Sequence, residues 1–195
     1  MKKARILEAT QYYKGFNQFS VYNIEAPSLN PQNEHLYLKN REILHCSDSV
    51  IVLIYAFKID SFVFCQQFRS GIFFNPSEDD PFPLECVAGS IEKDHSPEKT
   101  AQREVYEEAG LEVKDLRKII EAYTSPGNIT EKTHIFYARI EEVPQSQLGG
   151  LESEGEEILT HVIKRKEVYR MMDDMKINDL KTLMALNWFR FNVKV

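Results

Sequence analysis

The segment AQREVYEEAGL, residues 101–111, puts three carboxylates, Glu104, Glu107 and Glu108, within five positions. On a helix these are i, i+3 and i+4 neighbours. Like charges at that spacing repel by about 0.2–0.5 kcal/mol per pair, so the group calls for a cation. Hard divalent ions take carboxylate oxygens and carry phosphates with them, which makes magnesium the first candidate and manganese the second. The competing reading is a solvated acidic face neutralised by Arg103 or Lys99.

A helix over Pro97–Ala109 would position these side chains. Ser96 can cap it, Pro97 suits its first position, Glu98 lies in its first turn and Gly110 suits the C′ position. Ala101, Val105 and Ala109 recur at i+4 and point to the core; the glutamates are then expected on the opposite side. Around this helix, QFSVYNIEA and HLYLKNREILHC read as strands separated by the loop PSLNPQNE. The run SVIVLIYAFKIDSFVFCQQF reads as a buried hairpin turning near Lys58–Ser61. NPSEDDPFP is a polar loop, and LECVAG a short strand ending in glycine. RKIIEAYT, THIFYARI and ILTHVIKR are further strands. Two helices close the chain, one over about Lys166–Met175. The other is capped by Asn178 and carries Leu180, Leu183, Met184, Trp188 and Phe191 on one face. Strands first, one central helix and a helical end make an α+β pattern.

The chain has 195 residues, 43% of them hydrophobic, enough for one good core. A net charge of −6 and the lack of any basic run with interleaved aromatics argue against nucleic acid as a partner. No apolar run has the length of a membrane span, and MKKARILEATQYYKG lacks the apolar core of a signal peptide. Cys46, Cys65 and Cys86 are odd in number and far apart; buried free thiols in a reducing cytoplasm are expected, with neither disulfides nor a zinc site.

The segment GSIEKDHSPEKTAQREVYEEAGL resembles the Nudix box, G-x5-E-x7-R-E-U-x-E-E-x-G-U with U aliphatic. Gly89, Arg103, Glu104, Val105, Glu107, Glu108, Gly110 and Leu111 fall in register; His95 stands where the family has its first Glu. The resemblance implies metal held by Glu104, Glu108 and the Ala88 carbonyl. Glu107 would be a ligand or close support, and Arg103 part of the catalytic set. The family's first Glu commonly supports the loop through the Arg, so His95 bears on loop rigidity more than on the metal site.

The likeness runs from about Tyr13 to Phe191. CQQFRSG, LECVAGSIE and YTSPGNITEKTHIFYA are similar to segments of bacterial ADP-ribose pyrophosphatases, and Pro126 stands about where that subfamily has its marker proline. By that resemblance the acidic loop ESEGEE supplies the catalytic base, Glu154, with Glu156 a metal contact and the second choice for base. Arg41 and Arg69 would bind phosphates or nucleotide, Glu85 and Glu131 would lie near the substrate with Gly89, and Phe16 or Tyr13 could stack on a base.

The implied fold is an α/β/α sandwich with a mixed sheet over residues 46–195. An N-terminal antiparallel β subdomain, residues 1–45, would exchange between the subunits of a homodimer. The implied activity uses two or three magnesium ions, or manganese, to hydrolyse ADP-ribose to AMP and ribose 5-phosphate in the cytoplasm. The alternatives are another nucleoside diphosphate sugar, such as GDP-mannose (of which SPGNITE is reminiscent) or UDP-glucose, and an ADP-ribose-binding module without turnover.

Overall fold

A computed structural model describes residues 3–141, 148–150 and 155–194. It divides the chain into two compact units, Met1–Asp48 with Ala122–Lys132, and Ser49–Glu121 with Thr133–Val195.

The first unit is built on an antiparallel sheet in the order β1 (Arg5–Lys14), β2 (Gln18–Pro27), β3 (His35–His45). The sequence reading found β2 and β3 but gave no strand to β1. Every residue of β1 is exposed, so RILEATQYYK has no buried face to impose a clean alternation. The segment Ala122–Lys132 belongs here: Leu44 N–H donates to Asn128 O at 2.9 Å, and Thr130 N–H donates to Leu44 O at 3.1 Å.

The second unit is a mixed sheet covered by helices. Its strands are β4 (Ser49–Ala56), β5 (Ser61–Gln66), β6 (Leu84–Glu85), β7 (Val87–Ser90), β8 (Leu116–Tyr123), β9 (Lys132–Ile140), β10 (Leu148–Gly149) and β11 (Ile158–Lys164). The order is β10-β11-β5-β4-β9-β8, with β6 on β5 and β7 on β4; β4 and β9 run parallel. LECVAG is thus two short strands on different partners. The helices are α1 (Ser70–Phe73), α2 (Pro97–Ala109), α3 (Arg165–Asp173) and α4 (Leu180–Asn192). The short α1 falls in a stretch that the sequence reading left unassigned.

Strand β4 is buried along its whole length, as a central strand with helices on both faces must be. Val50, Val52, Ile54 and Ala56 pack with Ala101, Val105 and Ala109 of α2. Ile51, Leu53 and Tyr55 pack on the other face with Val168, Ala185, Leu186 and Phe189. The expected α+β sandwich is therefore present. The Phe189 ring lies 4.7 Å from Tyr55 and 4.8 Å from Phe62. The β4–β5 connection is a 3-10 turn over Phe57–Ile59 closed by Asp60 in the left-handed region, φ 48°. Arg165 grips that turn through Asp60 with a two-nitrogen fork, 2.6 and 3.0 Å.

Helix α4 departs from expectation twice. Its cap is Asp179, whose carboxylate accepts from Thr182 N–H at 2.7 Å, rather than Asn178. Its buried residues are Thr182, Ala185, Leu186 and Phe189, while Leu180, Met184 and Phe191 are exposed. LKTLMALNWFRFN is apolar on nearly every side, so spacing alone selects no face. The selected face brings Thr182 Oγ1 to accept from Cys86 N–H at 2.9 Å, satisfying a buried backbone donor that no apolar side chain could serve. Among the described residues no helix is long and apolar enough to cross a membrane.

Candidate active site

Helix α2 starts and stops as its sequence dictates. Ser96 Oγ accepts from Lys99 N–H at 3.3 Å, Pro97 follows the cap, and Gly110 closes the helix at φ 65°. With Ala101, Val105 and Ala109 in the core, Glu104 and Glu108 lie beside the buried stripe rather than opposite it. Both are buried, Glu108 with only 3% of its surface exposed. The reason is angular: at 100° per residue, positions 104 and 108 fall roughly 20–60° from position 101. Glu107, half-buried, is turned further away.

Glu104 and Glu108 meet the strand that precedes the helix. A Cβ placed on Gly89 would fall 2.0 Å from Glu104 Oε1, so the glycine leaves the space that this carboxylate fills. Ala88 N–H donates to Glu108 Oε2 at 3.3 Å. Burial, and behind it the nearby Glu104 charge, push the Glu108 carboxyl up to about 8. Buried Cys65 on β5 lies near Glu108, and burial followed by that carboxylate raises its thiol well above the ordinary value. Cys65 also faces Glu85 across the β5–β6 pair. Glu85 accepts from Arg69 Nε at 2.6 Å, and burial raises its carboxyl.

On the outer side, Arg103 gathers acids. Its Nη2 lies 2.7 Å from Glu104 Oε1 and 3.5 Å from Glu92 Oε1, and its Nη1 is 2.6 Å from Glu107 Oε2. Its buried Nε has no hydrogen-bond partner among the described residues. His95 Nδ1 lies 3.8 Å from Glu92 Oε2.

One region thus gathers Arg69, Glu85, Ala88, Gly89, Arg103, Glu104, Glu107 and Glu108. Two buried carboxylates, one of them raised chiefly by burial and then by the charge of the other, form a hard oxygen donor set that fits a divalent ion. Among the described residues no group of three or more His, Cys, Asp or Glu side chains is arranged to hold an ion. Further donors would have to come from the acidic loop. Its near end is pinned here: a Cβ on Gly149 would fall 2.8 Å from Glu108 O, and one on Gly150, φ 93°, would fall 2.8 Å from Glu156 O. Glu156 is half-buried, and Glu154 lies outside the described residues. Arg41, Glu131 and Phe16 belong to the first unit, where Arg41 and Phe16 are exposed and Glu131 Oε2 accepts from Thr124 Oγ1 at 3.0 Å.

Sequence reasoning missed two participants. Cys65 was read as an inert thiol, and nothing in its own segment marks a contact made across the core with residue 108. Glu92 was passed over, although it stands only three residues before the anomalous His95. Cys86 is buried as expected, whereas Cys46 is only half-buried; all three thiols are free.

The NUDIX domain family matches residues 47–185. The chain is 36% identical over 153 residues to an ADP-ribose pyrophosphatase of Haemophilus influenzae, covering 78% of this chain and 70% of that protein. It is 35% identical over 147 residues to a GDP-mannose pyrophosphatase of Pectobacterium atrosepticum, covering 75% of this chain and 74% of that one. A solved structure of an ADP compounds hydrolase shares the fold, with a TM-score of 0.70 at 18% identity over 97% of this chain and 94% of that one.

Proposed function

The chain belongs to the NUDIX domain family, and from that premise we propose that it hydrolyses the diphosphate bond of ADP-ribose to AMP and ribose 5-phosphate. The observation that carries this reading is the buried pair Glu104 and Glu108 set against Ala88 and Gly89. Glu104, Glu108, the Ala88 carbonyl and Glu156 would hold two or three magnesium ions, or manganese. When bound, these ions supply charge neutralisation at the diphosphate and a more acidic water.

The chain's own groups do the rest. Arg103 holds Glu104 and Glu107 in place through its two terminal nitrogens. Arg69, braced by Glu85, presents its remaining guanidinium edge to phosphate oxygens, a geometry that suits a planar fork. Glu154 takes the proton of the attacking water, so that hydroxide adds to one phosphorus in line and the nucleotide or sugar phosphate departs. Arg41, Glu131 and Phe16 are assigned to the substrate's outer parts, with Phe16 free to stack on a base.

A homodimer formed through the first unit accompanies this reading, with its strands exchanged between subunits. The support is the row of apolar side chains exposed on that sheet, Ile6, Tyr12, Tyr13, Leu36 and Tyr37. Light scattering should give a mass of twice 22.7 kDa. A cytoplasmic setting fits three free thiols.

The GDP-mannose relative favours one second reading, the same hydrolysis on another nucleoside diphosphate sugar. Turnover of ADP-ribose, GDP-mannose, UDP-glucose and NADH with magnesium tests both. Preferential cleavage of ADP-ribose is expected. Preference for another member moves the assignment to that substrate, and tight ADP-ribose binding with no turnover of any member would make the chain a binding module.

A further inference from the structure

We infer that the second unit carries a separate site for a small phosphate-bearing anion, in the hollow between the 3-10 turn after β4, the segment leading into β8, and the end of β9. This hollow is open to solvent and has a volume of about 580 Å³, within the range of small-molecule sites. It lies away from the glutamates. Val50 and Ile51 of β4 pair with Gly89 and Ala88, whereas the hollow begins at Phe57, six residues further and so about 20 Å along the strand.

Three cations line it: Lys114, Arg117 and Arg139. None has a carboxylate within 4 Å among the described residues, in a chain whose net charge is −6. Of the two acids on the wall, Glu141 is already taken by Lys58 at 2.8 Å, which leaves Asp115 against three positive charges. The two guanidiniums are also fixed in place. Arg139 lies over the Phe57 ring with its central carbon 3.8 Å from the centroid, and Arg117 lies over Trp188 at 5.2 Å. Stacking occupies the face of a guanidinium and leaves its N–H edge to donate, so less side-chain freedom is lost when an anion arrives. Two held forks and a mobile ammonium around one hollow suit the several oxygens of a phosphate or diphosphate better than a single carboxylate.

The test is residue-resolved NMR of the full chain in EDTA, titrated with inorganic pyrophosphate, inorganic phosphate and AMP. The backbone N–H of Leu116 and the side-chain Nε–H resonances of Arg117 and Arg139 should shift saturably with at least one of these. In Arg117→Gln/Arg139→Gln the affinity should fall at least about tenfold, and Lys114→Gln, which alters only an exposed side chain, should weaken binding with an unchanged spectrum elsewhere. Shifts confined to Arg69, Gly89 and Glu104, equal shifts with chloride at matched ionic strength, or citrate binding as tightly as pyrophosphate would each overturn the assignment. Because the readout is metal-free and local, its outcome is independent of whether the chain hydrolyses ADP-ribose.

Discussion

The Glu104 carboxylate occupies the space that a side chain at position 89 would need: a Cβ on Gly89 would meet Oε1 at 2.0 Å and the carboxyl carbon at 2.1 Å. The glycine is thus required by a side chain packed against it and not by a left-handed backbone. Gly89→Ala should push Glu104 aside and lower kcat/KM by about a hundredfold, the scale seen when a reacting group is misplaced by an ångström. Because the buried Glu104 side chain must move from its Cγ outward, stability should fall by about 1–2 kcal/mol. Denaturant unfolding beside turnover checks both halves, and equal activity in the two proteins would remove Glu104 from the site.

Cys65 and Glu108 make the second informative pair. Glu108→Gln should cost at least about a hundredfold in rate, the magnitude for losing one preorganised electrostatic group. The buried thiol lies near Glu108 and would act through it, by fixing where its carboxylate points. Cys65→Val should therefore weaken Mn²⁺ binding by about tenfold, as removal of an outer partner of a metal ligand does, while Cys65→Ser restores a donor. Electron paramagnetic resonance of free Mn²⁺ reads affinity without turnover. Equal affinity in wild type and Cys65→Val would leave the thiol a packing residue only.

Asp60 offers a pH prediction. The Arg165 fork, 2.6 and 3.0 Å away, is the main reason its carboxyl lies below the ordinary value, and the Tyr55 hydroxyl donating at 2.7 Å adds to this against some burial. A depressed folded value means that the unfolded chain takes up the proton first. The stabilisation is then complete above about pH 4, the ordinary carboxyl range, and is lost as pH falls through the lower folded value. Asp60→Asn keeps a residue tolerant of φ 48° and removes only the charge. Its unfolding midpoint should drop near neutrality and converge with wild type in acid. Tyr55 has the opposite sign: burial, then Asp60, push it up to about 12, so its share is complete below about pH 10 and fades as pH rises towards 12. Parallel wild-type and Asp60→Asn curves in acid would show that the ion pair contributes nothing.

How far the sequence reveals these relationships depends on whether the cause is local. Helix α2 is legible end to end because Ser96, Pro97 and Gly110 act within its own turns. Strand β4 is legible because burial on both faces demands an unbroken apolar run. The segment proposed to hold metal is legible through its resemblance to a known motif. What escapes is set across the fold. The buried face of α4 depends on Cys86 needing an acceptor, whereas the side of Glu104 and Glu108 follows from helical angle alone and is legible in the sequence. Strand β1, exposed throughout, has no core to write a period into it.

His95 is where the box departs from its family, and Glu92 bears on the consequence. Arg103 already has Glu92, Glu104 and Glu107 around it, so His95→Glu adds a carboxylate where three exist. That substitution should alter kcat/KM by less than about threefold, and Glu92→Gln should lower it by no more than about fivefold, the reach of an exposed ion pair. Steady-state rates on the best substrate decide. A gain of about tenfold or more in His95→Glu would mean that Glu92 fails to stand in.

The base is the remaining assignment. Strand β10 crosses the end of α2 closely enough that a Cβ at position 149 would fall 2.8 Å from Glu108 O, and a Cβ at position 150 would fall 2.8 Å from Glu156 O. Gly149 thus lies against the C-terminal backbone of α2, and Gly150 against that of Glu156. Glu154 lies outside the described residues, and its assignment as base rests on the resemblance. Glu154→Gln should reduce kcat by about 10²–10⁴ with KM little changed, and should flatten the acid limb of the pH–rate profile. Glu156→Gln should instead raise the magnesium concentration needed for half-maximal rate. If the two phenotypes are exchanged, Glu156 is the base; if neither variant flattens the acid limb, the proton leaves by another group and the acidic loop loses its catalytic role.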